Sequence, residues 1–324
     1  MKKGILITLT VILLSALCGC GFSGNTYFYT DANKYSVGEA KISDTVKAID
    51  IDWPTGNVKV ENGGSSVSFS ETANQKLTDD TSLHYLLDGT TLYIKFAASG
   101  KTFLNLEKQL VLDIPDSLEL EKITINTSSA SIDTDELTAK GAAFSTSSGS
   151  VSASLNCEKN ASFSASSGTI AAKVTGCEKV TASTSSGNID VILSGVEKGS
   201  FSASSGKISV RAISDSDSIS ADTSSGSISI ESEKARNISA DASSGKISIT
   251  AYTVPEKCSV DTSSGDVRLF LPKNASVKLK YDTSSGDFES ELPMKKDGKT
   301  YIFGGGNAGF EVDTSSGDLS IFEN

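Results

Sequence analysis

The chain repeats one phrase nine times: Ser-Ser-Gly, one polar residue, then a hydrophobe. The glycines are Gly149, Gly168, Gly187, Gly206, Gly226, Gly245, Gly265, Gly286 and Gly317. Seven steps of 19 to 21 residues separate them, and the eighth is 31. A unit that small cannot bury its own apolar face. It must bury that face against copies of itself, so a fixed period near 20 residues restricts the chain to a stack of coils.

With each glycine as position zero, positions −7, −5 and −3 are apolar or small: Val180, Ala182, Thr184; Ile219, Ala221, Thr223; Phe310, Val312, Thr314. Positions +2 and +4 are apolar: Ile189, Val191; Ile228, Ile230; Leu319, Ile321. Alternation at period two marks two short strands, each with one buried face. Positions −3 and +2 differ by an odd number, so a corner lies at the Ser-Gly step. There glycine is expected to supply unusual backbone angles and the serine hydroxyls to bond locally. Stacking at about 4.8 Å makes columns of like side chains. The paired serines are expected to form hydroxyl ladders, and Phe144 and Phe163 to stack at position −5. The fold class is therefore all-β, a single-chain β-solenoid.

The register extends upstream. Thr127-Ser128-Ser129-Ala130 stands one step before Gly149, and Ile49, Ile51, Trp53, Gly56, Val58 and Val60 obey it too. Between them lie a hairpin around Asp88-Gly89 and a strand stopped by Pro115. Residues 46–120 read as an irregular N-terminal β cap and 121–324 as the solenoid, since open strand edges need atypical end units. Pro293 to Ala308 adds a hairpin-like insert to the last coil.

The first residues are an address. Lys2 and Lys3 precede an apolar run from Ile5 to Leu17, the pattern of a secretory signal peptide. The run ends in Leu17-Cys18-Gly19-Cys20, which resembles the bacterial lipobox with Cys20 in register. The resemblance implies a signal peptide over 1–19, a diacylglyceryl group on Cys20 and attachment to the bacterial cell membrane. Two acyl chains anchor firmly. Residues 20–45 read as a polar tether.

The whole chain has 29 basic and 40 acidic residues, a net −11. Without Lys2 and Lys3 the balance is 27 − 40 = −13. That argues against nucleic acid as a partner. Three cysteines remain beyond the lipobox, Cys157, Cys177 and Cys258, too few for a disulfide framework.

The phrase of hydrophobe, Thr-Ser-Ser-Gly, polar residue and Ile or Val resembles the bacterial putative-adhesin family, β-strand-repeat domains on secreted or membrane-attached proteins. Asp261 to Asp266, Asp282 to Asp287 and Asp313 to Asp318, each reading DTSSGD, carry the resemblance, as does Leu271-Pro272. The family motif is structural and implies no catalytic residue. Some members accompany envelope-stress signalling in Gram-positive bacteria.

Candidate chemistry is sparse. His84 is the single histidine available to a serine–histidine machine. Gly304-x-Gly306-x-x-Gly309 matches a dinucleotide fingerprint as text, yet it leads into a strand and reads as a flexible loop. Cys157 and Cys177 occupy similar places in adjacent coils, at a spacing that suits either a disulfide or two shielded thiols. Cys258 reads as core. Asp222, Asp241, Asp261, Asp282 and Asp313 share position −4, while Asp266, Asp287 and Asp318 share +1. These columns are either solvated ladders or a calcium site. No cofactor, catalytic residue or resident metal is assigned. The expected object is a non-enzymatic, lipid-anchored surface scaffold or adhesin that meets a surface protein or glycan. A regulatory accessory in envelope-stress sensing is the alternative, and a wall-polysaccharide enzyme a minor one.

Overall fold

The computed structural model describes residues 26–324. The signal segment and Cys20 lie outside the described residues. Two walls of parallel strands enclose a continuous apolar core. One wall contains strands ending at the Ser-Ser-Gly corner, such as Lys179–Thr184 and Lys198–Ala203. The other contains strands leaving it, such as Ile170–Thr175 and Ile189–Ser194. Each residue pairs with its repeat equivalent: Ala182 with Phe201, and Ile189 with Ile208. Inward positions are dry, with Ile189, Val191 and Leu193 at most 1% exposed. Burying each such aliphatic side chain contributes roughly 1.5–3 kcal/mol. This is the expected β-solenoid.

The corner works differently from the expectation. None of the nine repeat glycines has a positive φ. Glycine is required by close approach instead. A Cβ on any of them would sit 1.6–2.1 Å from the carbonyl oxygen of the residue below, usually another repeat glycine. Where position −3 is threonine it makes a local turn bond, its Oγ1 accepting from the glycine N–H: Thr184 from Gly187 at 3.0 Å, Thr223 from Gly226 at 3.1 Å, Thr262 from Gly265 at 3.0 Å. Ala165, Ala203 and Ala242 hold that position in three other coils. The serine pairs are exposed. Their ladder runs mainly through the backbone, as in Ser186 N–H to the Ser166 carbonyl at 2.9 Å. Phe144 and Phe163 meet edge to face, with centroids 5.8 Å apart, rather than stacking. Gly199 leaves room for Phe201, whose ring would lie 2.8 Å from a Cβ there.

Coil order departs from chain order at both ends. Ala308–Thr314 inserts between Lys257–Thr262 and Val277–Thr283, and Leu319–Glu323 between Val267–Leu271 and Phe288–Ser290. The last coil in sequence is thus the penultimate one in space. The long final step supplies the antiparallel hairpin Met294–Asp297 and Thr300–Phe303 and the path back. Thr300–Phe303 then covers the open edge of Val277–Thr283. At the other end the coil of Ala48–Asp52 and Gly56–Asn62 is flanked on one side by Glu119–Asn126 and Ser131–Thr146. Its other side is flanked by Thr91–Lys95 and Lys108–Ile114. His84–Asp88 and Ser68–Ala73 close the outer edges antiparallel. Twelve coils result, spanning roughly 50 Å at the strand spacing.

Packing begins before the boundary read at residue 46. Thr26–Tyr27 pairs with Lys101–Thr102, while Tyr27 and Tyr29 are 2% and 5% exposed. Residues 26–45, read as tether, are therefore part of the packed end unit. That unit also holds a buried ion pair. The Lys108 ammonium lies 2.6 Å from Glu71 and 2.8 Å from the Thr81 carbonyl, over the rings of Trp53 and Phe96. Burial lowers its pKa to about 8 against the pull of Glu71.

Two predictions test corner and register. Gly206→Ala places a Cβ 1.6 Å from the Gly187 oxygen and should cost well over the ~1 kcal/mol of an ordinary backbone substitution. Gly309→Ala meets nothing within 4 Å and should change the urea midpoint little. Ile228, 1% exposed, should not tolerate aspartate, with a loss of about 4 kcal/mol or more. Aspartate at exposed Ser227 should stay within about 0.5 kcal/mol of the parent. Equal effects at Ile228 and Ser227 would overturn the register.

Candidate functional site

His84 is buried, and its Nδ1 donates to the Ser82 carbonyl at 3.0 Å. Among the described residues no serine hydroxyl bonds to its ring, so the structure does not assemble that machine around it. Gly304 and Gly306 take positive φ in the turn after Thr300–Phe303. That turn is tied down rather than loose: Ser276 Oγ accepts from the N–H groups of Gly305 and Asn307 at 3.1 and 3.2 Å. It leads into a strand, which offers no helix N-terminus to a phosphate. Cys258 is a buried thiol whose pKa burial pushes up to about 12. Cys157 and Cys177 are brought side by side as free thiols.

The acidic columns are as aligned as the sequence implies, with the spatial order Asp222, Asp241, Asp261, Asp313, Asp282. Partial burial raises the pKa of Asp222, and of Asp241 and Asp261, where the neighbouring aspartate adds to the effect. The +1 column has a structural task. Asp318 Oδ1 accepts from the Asp287 N–H at 2.8 Å, and Asp266 Oδ1 from the Asp318 N–H at 3.3 Å. Asn188 does the same for Lys207 at 3.0 Å. Among the described residues no group of three or more His, Cys, Asp or Glu is arranged to hold a metal ion.

The feature that periodicity did not reveal lies at the opposite, return corner. The step from Gly206 to Gly226 is 20 residues, and the additional residue appears as a register shift between Ala212 and Asp215. A trough of about 610 Å³ opens there, lined by Gly195, Glu197, Asp215, Ser216, Asp217, Lys234, Ala235, Arg236, Thr253, Val254 and Glu256. Glu197, Asp217, Arg236 and Glu256 occupy position −9 of four successive coils. Arg236 bridges coils, with Asp217 at 3.2 Å and Glu256 at 3.5 Å. Lys234 meets Asp215 at 2.6 Å. All of these side chains are largely exposed, so the pairs add little stability and remain open to exchange partners. A second trough of about 530 Å³ shares Thr253, Val254 and Glu256 and continues to Asn307. Tyr252 belongs to it, 46% exposed, its hydroxyl donating to Glu231 at 2.9 Å. Beneath the trough, the hydroxyls of Ser216 and Ser232 are buried without a hydrogen-bond partner. Carboxylates, two cations and an exposed ring along an open channel suit a polar chain-like ligand. They do not form a nucleophile–base pair.

This geometry defines a β-solenoid with a charged lateral trough and capped ends. The chain belongs to the Toastrack DUF4097 family, whose model matches residues 46–244 and again 164–322. The overlap of the two matches follows from the internal repeat. Among solved structures, a putative adhesin from Parabacteroides distasonis ATCC 8503 is similar at 14% identity. It covers 73% of this chain and 97% of that one, with a TM-score of 0.51. A putative lipid binding protein from the same organism matches at 17% identity over 89% of this chain and 96% of that one, with a TM-score of 0.44. A search of curated proteins finds no match.

The position −4 column supplies a pH test. The folded-state pKa values of Asp222, Asp241 and Asp261 lie above the ordinary aspartate value, so the folded chain holds these protons more tightly. The column's contribution is therefore full below the unfolded value and is lost as pH rises through the folded values. Replacing all three by asparagine should raise Tm at neutral pH. The gain should disappear near about pH 3, below the ordinary aspartate value. A gain that is the same at both pH values would refute this account.

Proposed function

We propose that the chain is a non-enzymatic bacterial cell-surface lipoprotein, a scaffold of the adhesin kind. In this reading the Cys20 lipid holds it to the cell membrane and the return-corner trough meets an envelope glycan. The trough is the observation that carries the reading: a rigid stack presents Tyr252, Arg236, Lys234 and the carboxylates along adjoining open channels. Hydroxyl-rich polymers are bound by such a mixture of charged hydrogen-bonding groups with a ring face. Membership of the Toastrack family and the adhesin name given to the P. distasonis neighbour agree with a surface role. Attachment is assigned to Cys20 on the likeness of Leu17-Cys18-Gly19-Cys20 to the bacterial lipobox.

Binding of the full chain to purified wall polysaccharide, measured by sedimentation, tests the reading. The double variant Tyr252→Ala/Arg236→Ala should weaken binding about tenfold or more, a loss of about 1.4 kcal/mol, with Tm little changed. Cys20→Ser should abolish incorporation of labelled lipid. Unaltered polysaccharide binding in the double variant would overturn the assigned surface. Capture of a membrane signalling protein by the wild type, with no glycan retained, would instead support the envelope-stress accessory.

A further inference from the structure

Cys157 and Cys177 are 20 residues apart in sequence and one coil apart in space. Their Sγ atoms lie 2.9 Å from each other, and the residues are 2% and 1% exposed. The ladder pairs Asn156 with Thr175 and Asn160 with Lys179, so Cys157 and Cys177 are diagonal rather than directly opposite neighbours, and their side chains lean together across the return corner. Closing the gap to a bonded distance of about 2.05 Å needs a sulfur movement of under an ångström by side-chain rotation. The pair stands next to Gly176, whose φ of +71° turns the chain back at the return corner.

We propose that Cys157 and Cys177 form an oxidation site, in which a small peroxide converts the two buried thiols into a disulfide that staples adjacent coils. The mutual hydrogen bond lowers the pKa of Cys177 and raises that of Cys157, so Cys177 supplies the first thiolate. Its sulfur attacks one oxygen of hydrogen peroxide. The O–O bond breaks, hydroxide leaves and takes up the thiol's proton as water, and Cys177 becomes a sulfenic acid. The Cys157 sulfur then displaces that oxygen. The S–S bond forms, and the sulfenic oxygen leaves as a second water with the Cys157 proton. Two thiols and one peroxide give one disulfide and two waters. The sulfur pair loses two electrons and the peroxide gains them. A small neutral oxidant suits thiols this buried. The sulfenic acid has a thiol beside it as it forms, which favours the disulfide over further oxidation. Cys258 is equally buried but is placed at position −7 of another coil, so it serves as an internal control.

The test uses the full chain, reduced and then treated with a slight excess of hydrogen peroxide. The protein is unfolded in an alkylating agent, digested with trypsin and mapped by mass spectrometry. Peptides 141–159 and 174–179 should appear as one linked species that a reductant separates, while Cys258 remains alkylated. Oxidation should raise Tm by a few degrees, because the bond shortens the unfolded chain's excursions, and reductant should reverse the rise. Cys157→Ala should lose both the linked peptide and the Tm shift. Full alkylation of Cys157 and Cys177 after treatment would overturn the proposal. So would separate sulfinic acids, or linkage of either residue to Cys258. The mapping on wild-type protein decides the matter even if the variant folds poorly.

Discussion

The approach of one backbone to the next at the glycine corner governs the rest of the structure. A Cβ at Gly187 would lie 1.9 Å from the Gly168 oxygen, and at Gly206 1.6 Å from the Gly187 oxygen. Contact that close holds each coil in register with the one below. In register, apolar positions meet apolar positions and every strand finds its hydrogen-bond partner. A one-residue slip would turn each inward side chain to solvent. It would also drive a serine side chain into the glycine column. Where position −3 is threonine, as at Thr184 and Thr223, its Oγ1 completes the corner by accepting the glycine N–H from inside the coil, where a free N–H would be costly. The serines at −2 and −1 are what remains: small, exposed residues whose backbone carries the ladder.

The ends obey a second constraint, the open edge. The strand Val277–Thr283 would expose its backbone to any passing strand, and Thr300–Phe303 covers it. Intercalation adds a mechanical benefit, because the chain's final strand is paired on both sides rather than fraying. Asn324 is fastened as well, its N–H donating to Leu271 at 3.0 Å and its side chain to Ala251 at 2.9 Å. The opposite end uses chemistry where this one uses topology. Lys108 stands in the corner column beside Gly56, and its carbonyl accepts from Trp53 Nε1 at 3.0 Å. Its ammonium is enclosed by Glu71, two carbonyls and two rings. A buried pair like this contributes little net stability, but it penalises any arrangement that separates its partners.

The walls were legible in the sequence because alternation and period are local. Val180, Ala182 and Thr184 point inward whatever lies above them. Coil order was not legible, because Phe310, Val312 and Thr314 would fill an inward column equally well one coil higher. The glycine's reason was also hidden: both a positive φ and a close contact select glycine, and only coordinates separate them. Residues 26–45 read as tether because the stretch is polar and lies outside the repeat register, although Tyr27 and Tyr29 already alternate inward. The trough escaped notice because its residues fall outside the strong columns. The available traces were the 20-residue steps at Gly226 and Gly265, which mark added residues near Asp215 and between Ala251 and Lys257.

Those traces bear on where a repeat protein can keep its specificity. In a uniform stack every coil presents the same surface, and a ligand could slide from one to the next at no cost. Recognition of one place needs a break in the repetition. Here the acidic run at position −9 is interrupted once, by Arg236, which reaches carboxylates in the coils on both sides. In the same place the interior column changes from Cys177 and Val196 to Ser216 and Ala235, thinning the wall beneath the channel. The inward hydroxyls of Ser216 and Ser232 make this stretch less stable than an all-apolar column would be. Regular coils thus supply stiffness, and the irregular ones around 195–256 carry the marks by which a partner could find its register.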